Sequence, residues 1–276
     1  AVIRERLGAA LSVKRIADID IRRNRGIRVA SSLLSTDARA VTDDPSIDLV
    51  VELIGGIEPA RTLLLRAIAN GKPVVTANKA LLAAHGMQLL KEAHEKGVDI
   101  GFEGSVGGGI PIIRVIKEGL AANRFSRILG ILNGTANYIL TRMTNEGGNF
   151  DAMLKEAQAH GYAERNPGLD IEGTDTAHKL AILISMAYGT VVTFERIYTE
   201  GIAHIEPLDI EFTRELGYTI KLLAIAREIN GHIEARVHPT LIPGDHLLSR
   251  VDGTFNAVFI DGDAVGPGMY YGKGAG

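Results

Sequence analysis

The segment GYAERNPGLDIEGTDTAHK, residues 161–179, gathers several acidic side chains and ends on a lysine. Asp175 and Lys179 are four residues apart at the start of a predicted helix, and they therefore lie on one helix face. Taken alone, such a pair is most often a structural ion pair favoured by the helix dipole. A structural ion pair does not require further acids beside it, yet Glu164 and Asp170 lie nearby in a loop with an Asn-Pro turn. The segment therefore indicates a binding site for a substrate that carries an ammonium group.

A second group of charged residues follows the strand predicted for residues 13–18. Asp18 ends that strand, and an acid at this place in a dinucleotide-binding fold accepts the ribose hydroxyls of NAD. Arg22, Arg23 and Arg25 lie just beyond it and could instead hold the 2′-phosphate of NADP. The alternative is that Asp18 caps a turn and the arginines form a solvated surface. The residues leave NAD and NADP both open, and we expect use of both.

Strand and helix patterns alternate through the first hundred or so residues. Strands are predicted at 13–18, 48–53, 73–78 and 99–106, and helices that end on Gly71 and Gly97 at 59–71 and 81–97. This alternation predicts a parallel, doubly wound sheet. Ligands of such sheets bind at the carboxyl ends of the strands, where Gly55, Gly56 and Lys79 lie. The usual G-x-G-x-x-G turn is not found, and we expect it upstream of Ala1, because a helix pattern opens the chain.

The pattern changes beyond residue 110, where helices and strands no longer alternate regularly. Helices are predicted at 111–121, 136–148, 151–161, 175–189 and 220–230, with Thr174 as the N-cap of the fourth. Strands are predicted at 127–134, 232–243 and 253–265. These elements predict a second domain of the α+β class.

The composition excludes several kinds of function. A formal net charge of −3 over 276 residues gives no basic surface for nucleic acid or an anionic membrane, which favours a small-molecule ligand. The absence of cysteine excludes disulfides, thiolate metal sites and thiol nucleophiles. The sequence shows no signal peptide and no apolar run of membrane-spanning length, so we expect a cytoplasmic protein.

At this level the sequence resembles the homoserine dehydrogenase family, over essentially the whole chain. The resemblance rests on motifs in the family's order and spacing: VVELIGG, VVTANKALLA, GGGIPIIR, LNGTANYILT, GYAERNPGLDIEGTDTAHKLAI, ELGYTIKLL, VHPTLIP, FNAV and GKGAG. It implies an NAD(P)-dependent oxidoreductase that interconverts L-homoserine and L-aspartate 4-semialdehyde, in the biosynthesis of threonine, methionine and isoleucine. An aspartate-semialdehyde dehydrogenase is excluded because it needs a cysteine nucleophile.

The resemblance also implies roles for individual residues. Lys179 would be the catalytic acid/base, and Lys79 would act between cofactor and substrate. The substrate would be bound by Glu164, Asp170, Asp175 and Tyr162. The cofactor would be bound by Asp18, Arg22, Arg23, Gly55, Gly56, Lys79, Gly161 and Gly276. Main-chain carbonyls of Glu103, Val106, Gly108 and Ile110 would hold a monovalent cation, Na⁺ or K⁺.

The resemblance further implies a domain division and an assembly. We expect an NAD(P)-binding domain at residues 1–106 that lacks its first strand and glycine turn, a catalytic and dimerisation domain at 107–265, and at 266–276 the start of a segment that returns to the first domain. The protein would be a homodimer or a higher homo-oligomer. The alternative hypothesis is a truncated or degenerate dehydrogenase that keeps substrate binding and dimerisation without turnover.

Overall fold

Parallel strands and helices alternate in the first of the two units into which the chain divides. The computed structural model describes residues 2–274. The first unit consists of the chain up to Thr76 together with Met87–Gly101, and the second of Ala77–Gly86 together with the chain from Phe102 onward. Within residues 2–274, no helix is long and apolar enough to cross a membrane.

The strands of the first unit form two small parallel sheets. One contains β1 (Ile16–Ala17) and β2 (Leu34–Ser35), and the other contains β3 (Val50–Glu52), β4 (Val74–Thr76) and β5 (Ile100–Gly101) in that order. Its helices are α1 (Val2–Leu7), α2 (Arg39–Thr42), α3 (Ala60–Ala69) and the later residues of α4 (Lys79–Lys96). The predicted α/β class with parallel strands is confirmed, although β2 was not predicted and the other four strands are shorter than their sequence patterns.

Two glycines mark the ends of the long helices of this unit. Gly71 follows α3 and Gly97 follows α4, with φ angles of +73° and +64°. A left-handed residue at this position ends a helix, and glycine adopts it without a steric penalty. The predicted helix ends at Gly71 and Gly97 are therefore confirmed.

A six-stranded sheet forms the centre of the second unit. Its strand order is β11-β10-β6-β8-β9-β7, and all neighbours are antiparallel except β7 and β9. The strands are β6 (Phe125–Ile131), β7 (Tyr198–Thr199), β8 (Tyr218–Ile229), β9 (His232–Pro243), β10 (Phe255–Gly262) and β11 (Gly266–Lys273).

The helices of the second unit are α5 (Ile112–Arg114), α6 (Gly134–Glu146), α7 (Phe150–Ala159), α8 (Gly168–Ile171), α9 (Thr174–Tyr188) and α10 (Pro207–Glu215), together with the first residues of α4. A π-helix over Val115–Gly119 continues α5. Short 3₁₀ turns occupy Ser31–Leu33 in the first unit and Glu103–Ser105, Phe194–Arg196 and Leu247–Arg250 in the second.

The helix predicted at residues 220–230 was wrong, because these residues form the central strand β8. All residues from Ile220 to Ala226 are buried. Leu223 and Ile225 join a core cluster with Ile131, and the helices α6, α9 and α10 also contact the strand. A strand covered on both faces has a continuous apolar run, which periodicity cannot distinguish from a buried helix.

Two further details differ from the sequence predictions. The N-cap of α9 is Gly173 and not Thr174, because residue 173 is buried with a φ of +84°, a conformation that favours glycine. Residues 266–273, for which no strand was predicted, form β11 at the edge of the six-stranded sheet and pair with β10 along its whole length. The predicted domain boundaries stay predictions.

Candidate active site

A buried carboxylate bound to two lysines lies at the start of α9. Asp175 and Lys179 are one helical turn apart, and the Lys179 Nζ donates to Asp175 Oδ2 at 2.6 Å. Lys79, the first residue of α4, forms an ion pair with the other carboxylate oxygen, Oδ1. Each oxygen of one carboxylate therefore faces a different ammonium group. All three residues belong to the second unit.

The three charged groups differ in their exposure to water. The side chain of Asp175 is 3% exposed and that of Lys179 is 12% exposed, while Lys79 keeps 42% of its side chain accessible. Burial alone would raise the pKa of Asp175, but the charges of Lys179 and Lys79 outweigh it and lower the pKa to about 2. The Asp175 carboxylate is therefore ionised throughout the physiological range.

The end of β6 supplies a second fixed partner for Lys179. The Nζ of Lys179 donates to the main-chain oxygen of Leu132 at 2.6 Å, directly after the last residue of the strand. A lysine ammonium has three hydrogens. Within the described residues, Asp175 and Leu132 account for two of them, which leaves one for a ligand oxygen.

Asn133, the next residue along the chain, connects the acids of this site. Its Oδ1 accepts from the main-chain nitrogen of Ala136 at 2.8 Å and caps α6. Its Nδ2 donates to Asp170 Oδ1 at 2.7 Å and to Asp175 Oδ2 at 3.0 Å. Asn133 was not predicted as a site residue from the sequence. The available signal was its place as a cap-type residue immediately before the pattern of a buried helix.

Hydrogen bonds and ion pairs join Asp170, Asp175, Lys179 and Lys79 into one cluster through Asn133, and Glu164 is not part of this bonded cluster. Glu164 is exposed, and within residues 2–274 its carboxylate forms no ion pair or hydrogen bond, while its main-chain oxygen accepts from the side-chain amide of Gln158. This carboxylate is therefore free to bind a positively charged group.

Tyr162 and Gly161, predicted to bind substrate and cofactor, lie on the turn after α7. The side chain of Tyr162 is 47% exposed, and its main-chain oxygen accepts from the hydroxyl of Thr135 at 2.6 Å. Gly161 is exposed with a φ of +75°. Gly276, the other predicted glycine ligand of the cofactor, lies outside the described residues. The roles of these three residues stay predictions.

Among the predicted cofactor residues, Asp18 directly follows β1 and is bound by Arg25. The guanidinium of Arg25 donates to Asp18 Oδ2 at 2.6 Å, and Asp18 Oδ1 accepts from the main-chain nitrogen of Asp20 at 2.8 Å. Arg22 and Arg23 are exposed, and their main-chain nitrogens donate to the Asp20 carboxylate. Of the three arginines, Arg25 is therefore the one whose side chain contacts Asp18, although it is the furthest of them from Asp18 in sequence.

Gly55 and Gly56 form an open turn beyond β3. Both have left-handed φ angles, +81° and +69°, and a Cβ atom added to either would meet nothing within 4 Å. The turn begins at Glu52, a buried carboxylate that accepts from the main-chain nitrogens of Ile54 at 2.6 Å and Gly55 at 3.0 Å, and from the hydroxyl of Thr76 at 2.5 Å. Both glycines are exposed, so a ligand could approach this turn without meeting a side chain.

The loop predicted to bind a cation runs from Glu103 to Ile110. The Glu103 carboxylate accepts from the main-chain nitrogens of Ile113 and Arg114 at 2.8 and 3.0 Å, so it caps the following helix. The Ile110 carbonyl accepts from Ile112 at 2.7 Å, while Gly108 has a φ of +50°. Val106 is fully buried. Within residues 2–274 there is no cluster of three acidic or histidine ligands, so a cation here would depend on main-chain carbonyls.

Comparisons with known proteins identify both parts of the chain. Residues 2–103 match the family model "Homoserine dehydrogenase, NAD binding domain", which places this part of the chain in the class of dinucleotide-binding domains. Residues 111–276 match the family model "Homoserine dehydrogenase". The chain therefore belongs to the homoserine dehydrogenase family.

Individual relatives agree with this assignment. The homoserine dehydrogenase of Pseudomonas aeruginosa is 49% identical over 274 residues, which cover 99% of this chain and 63% of that protein. The crystal structure of a homoserine dehydrogenase from Thiobacillus denitrificans is 53% identical, with a TM-score of 0.94, and the match covers 100% of this chain and 64% of that one. A hyperthermophilic archaeal homoserine dehydrogenase in complex with NADPH is 28% identical, with a TM-score of 0.75 and coverage of 87% and 70%. The chain spans somewhat less than two thirds of the curated relatives that it matches.

Proposed function

We propose that the protein interconverts L-homoserine and L-aspartate 4-semialdehyde with NAD or NADP, in the biosynthesis of threonine, methionine and isoleucine. The observation that carries this proposal is the Asp175 carboxylate with an ammonium group on each oxygen. It lies within the acidic motif that the chain shares with the family. An ion pair of purely structural use would not need a second lysine from a distant part of the chain.

Lys179 acts as the acid/base in this mechanism. Two of its hydrogens are held by Asp175 and Leu132, so its Nζ is fixed and its third hydrogen is available to the substrate oxygen. In reduction it donates a proton to the alkoxide that forms at the aldehyde carbon; in oxidation the neutral amine takes the hydroxyl proton. The bound dinucleotide supplies or accepts the hydride. Lys79 stabilises the same oxygen electrostatically, and its partly exposed ammonium keeps further hydrogens for that purpose.

The substrate ammonium binds to acidic residues. The free carboxylate of Glu164 is suited to it, since it has no partner within the described part of the chain. Asp170 is the second acid, held by Asn133. Tyr162 lines the same motif. These contacts are made in ground state and transition state alike, so their loss raises KM more than it lowers kcat.

The dinucleotide would be held by residues of the first unit. Gly55 and Gly56 form an exposed turn without side chains, and Asp18 directly follows β1, the position at which an acid binds the ribose in dinucleotide-binding folds. Arg25 neutralises Asp18, and Arg22 and Arg23 are exposed nearby, so the phosphate of NADP is accommodated along with NAD. The archaeal relative whose structure was solved in complex with NADPH supports the use of this cofactor.

A monovalent cation bound by the carbonyls of Glu103, Val106, Gly108 and Ile110 would order the loop before α5. The left-handed Gly107 and Gly108 let this loop turn its carbonyls inward. We expect activity to rise when Na⁺ or K⁺ is titrated into an organic-cation buffer; a flat response would exclude the cation. The assembly as a homodimer rests on the family resemblance alone, and the location in the cytoplasm stays the expectation drawn from the sequence.

Steady-state kinetics of the full-length protein test the proposal. We expect NAD(P)H to form when L-homoserine is supplied and aspartate semialdehyde to be reduced in the opposite direction. Homoserine that raises the melting temperature without any turnover would favour the degenerate dehydrogenase instead. Absence of both turnover and binding would overturn the proposal.

A further inference from the structure

The amide of Asn133 has a defined orientation at the junction of β6 and α6. Its Oδ1 accepts from the main-chain nitrogen of Ala136, and its Nδ2 donates to Asp170 and Asp175. A flipped amide would bring its nitrogen to the donor of Ala136 and its oxygen to two carboxylates, which are all repulsive contacts. The side chain is 5% exposed, so water cannot readily replace these partners. Both amide hydrogens are therefore committed to acids.

These two hydrogen bonds offset the electrostatic repulsion between the two acids of the site. Asp170 and Asp175 both lie within hydrogen-bond distance of one nitrogen atom, and two negative charges that lie close together repel each other. A hydrogen-bond donor shared between them offsets this repulsion. The lysines contact Asp175, whereas Asn133 is the polar side chain that contacts Asp170 within residues 2–274.

We propose that Asn133 is a positioning residue of the reaction, which holds the Asp170 and Asp175 carboxylates at a fixed separation so that one binds the substrate and the other orients Lys179. This inference rests on the proposed function for the identity of the substrate. Leu132 and Asn133 then act as one segment: the main-chain oxygen of Leu132 fixes the ammonium of Lys179, and the side chain of Asn133 fixes the two acids.

A second asparagine provides a matched control. Asn149 is the N-cap of α7, and its Oδ1 accepts from the main-chain nitrogen of Ala152 at 2.9 Å, as Asn133 does for α6. Asn149 is exposed, and within the described residues its amide nitrogen has no hydrogen-bond partner. The same substitution at both positions therefore separates helix capping from the bridge between acids. Serine is the suitable replacement, because it also caps helices.

The first measurement compares Asn133→Ser and Asn149→Ser in the full-length protein. We expect Asn133→Ser to lower kcat/KM for homoserine by about 10- to 100-fold, the loss typical of misplaced site groups, with the dinucleotide KM unchanged. Asn149→Ser should leave both constants unchanged. If Asn133→Ser keeps kcat/KM within twofold of the wild type and loses no more thermal stability than Asn149→Ser, Asn133 only caps its helix and the inference is wrong.

The second measurement does not depend on turnover. Carboxyl carbons of aspartate are labelled with ¹³C, assigned with Asp170→Asn and Asp175→Asn, and titrated. The charged groups that face Asp175 are Lys79, Lys179 and His178, besides Asp170 through the bridge. Asn133→Ser removes a donor to the charged form of Asp175, so the titration of Asp175 should move to higher pH. An unchanged titration of Asp175 would overturn the inference, even if the wild-type protein failed to oxidise homoserine.

The wild-type protein offers a test that needs no folded variant at position 133. With ¹⁵N-labelled asparagine, the two side-chain protons of Asn133 should exchange slowly with water and shift when Asp170→Asn is introduced. Those of Asn149 should exchange rapidly and stay unaffected. Equal, rapid exchange at both asparagines would contradict the bridge.

Discussion

Neutralising Asp175 should destabilise the protein by an amount that depends on pH. The pKa of this carboxyl falls from the ordinary 3.8 to about 2, because the charges of Lys179 and Lys79 exceed the opposing effect of burial. This difference corresponds to about 2 kcal/mol of stabilisation at neutral pH. Asp175→Asn loses that stabilisation and also leaves two ammonium groups beside each other.

The loss of stability in Asp175→Asn should be smaller than the loss expected for a completely buried ion pair. Removing one partner of a buried ion pair costs roughly 3–5 kcal/mol. Here Lys79 is 42% exposed and its ammonium can return to water, while Lys179 keeps the Leu132 carbonyl. We therefore expect Asp175→Asn to cost about 2–3 kcal/mol and to lower the melting temperature by roughly 4–12 °C.

The sign of the pH dependence follows from the direction of the shift. A carboxyl whose pKa is lowered by folding contributes its full stabilisation above the pKa of the unfolded chain, near pH 4, and loses it as the pH falls through about 2. The asparagine variant does not titrate at this position. The difference in unfolding free energy between wild type and Asp175→Asn should therefore be constant from pH 5 to 7 and shrink at pH 3.

Urea unfolding followed by circular dichroism at pH 7, 5 and 3 measures this difference. Asp151→Asn is the matched control, since Asp151 lies in the first turn of α7 as Asp175 lies in the first turn of α9, but it is exposed. The control should change the unfolding midpoint little at any of these pH values. Equal effects of the two substitutions, or a loss for Asp175→Asn that does not shrink at pH 3, would refute the reasoning.

Three further predictions concern the reaction and the cofactor. Lys179→Ala should lower kcat by about 10²- to 10⁴-fold with an unchanged dinucleotide KM. Lys117→Ala, which changes an exposed lysine, should leave kcat unchanged. A near-normal kcat in Lys179→Ala would exclude Lys179 as the acid/base. Glu52→Ala should raise the dinucleotide KM about tenfold, because the glycine turn after β3 is then ordered only on binding. Glu52→Gln should retain most of the affinity for the dinucleotide. Equal KM values for the wild type and Glu52→Ala would show that the turn is ordered without the Glu52 side chain. Arg25→Ser should lower kcat/KM for NADP relative to NAD about tenfold, because the acid after β1 then lacks its counter-charge and repels the phosphate; an unchanged ratio of the two kcat/KM values would contradict the role of this contact.

The sequence predicted the parts of the fold that depend on local patterns. The parallel strands and the helix ends at Gly71 and Gly97 followed from short apolar runs and from the φ angles that glycine tolerates. The pairing of Asp175 with Lys179 followed from their spacing of four residues on a helix. These features need no knowledge of which elements pack together.

What the sequence could not supply depends on tertiary contacts. Strand β8 was predicted as a helix because its two faces are both covered, and nothing local records that. The bridge made by Asn133 joins positions 42 residues apart, and the choice of Arg25 over Arg22 depends on how the loop after β1 folds back. The contact of Lys79 with Asp175 was not predicted, because no local pattern relates positions so far apart. The family resemblance implied only that Lys79 lies between cofactor and substrate.

The way in which the Asp175 cluster is assembled also bears on how the protein folds. Its hydrogen bonds join positions 42 and 47 residues apart, and the contact with Lys79 spans more of the chain still. Closing such loops costs entropy before the contacts stabilise anything, so long-range contacts of this kind slow folding. The cluster forms only when the end of β6 and the starts of α4 and α9 have come together. The burial of Asp175 therefore marks the completion of folding in the second unit. During refolding, we expect activity to recover later than helical content.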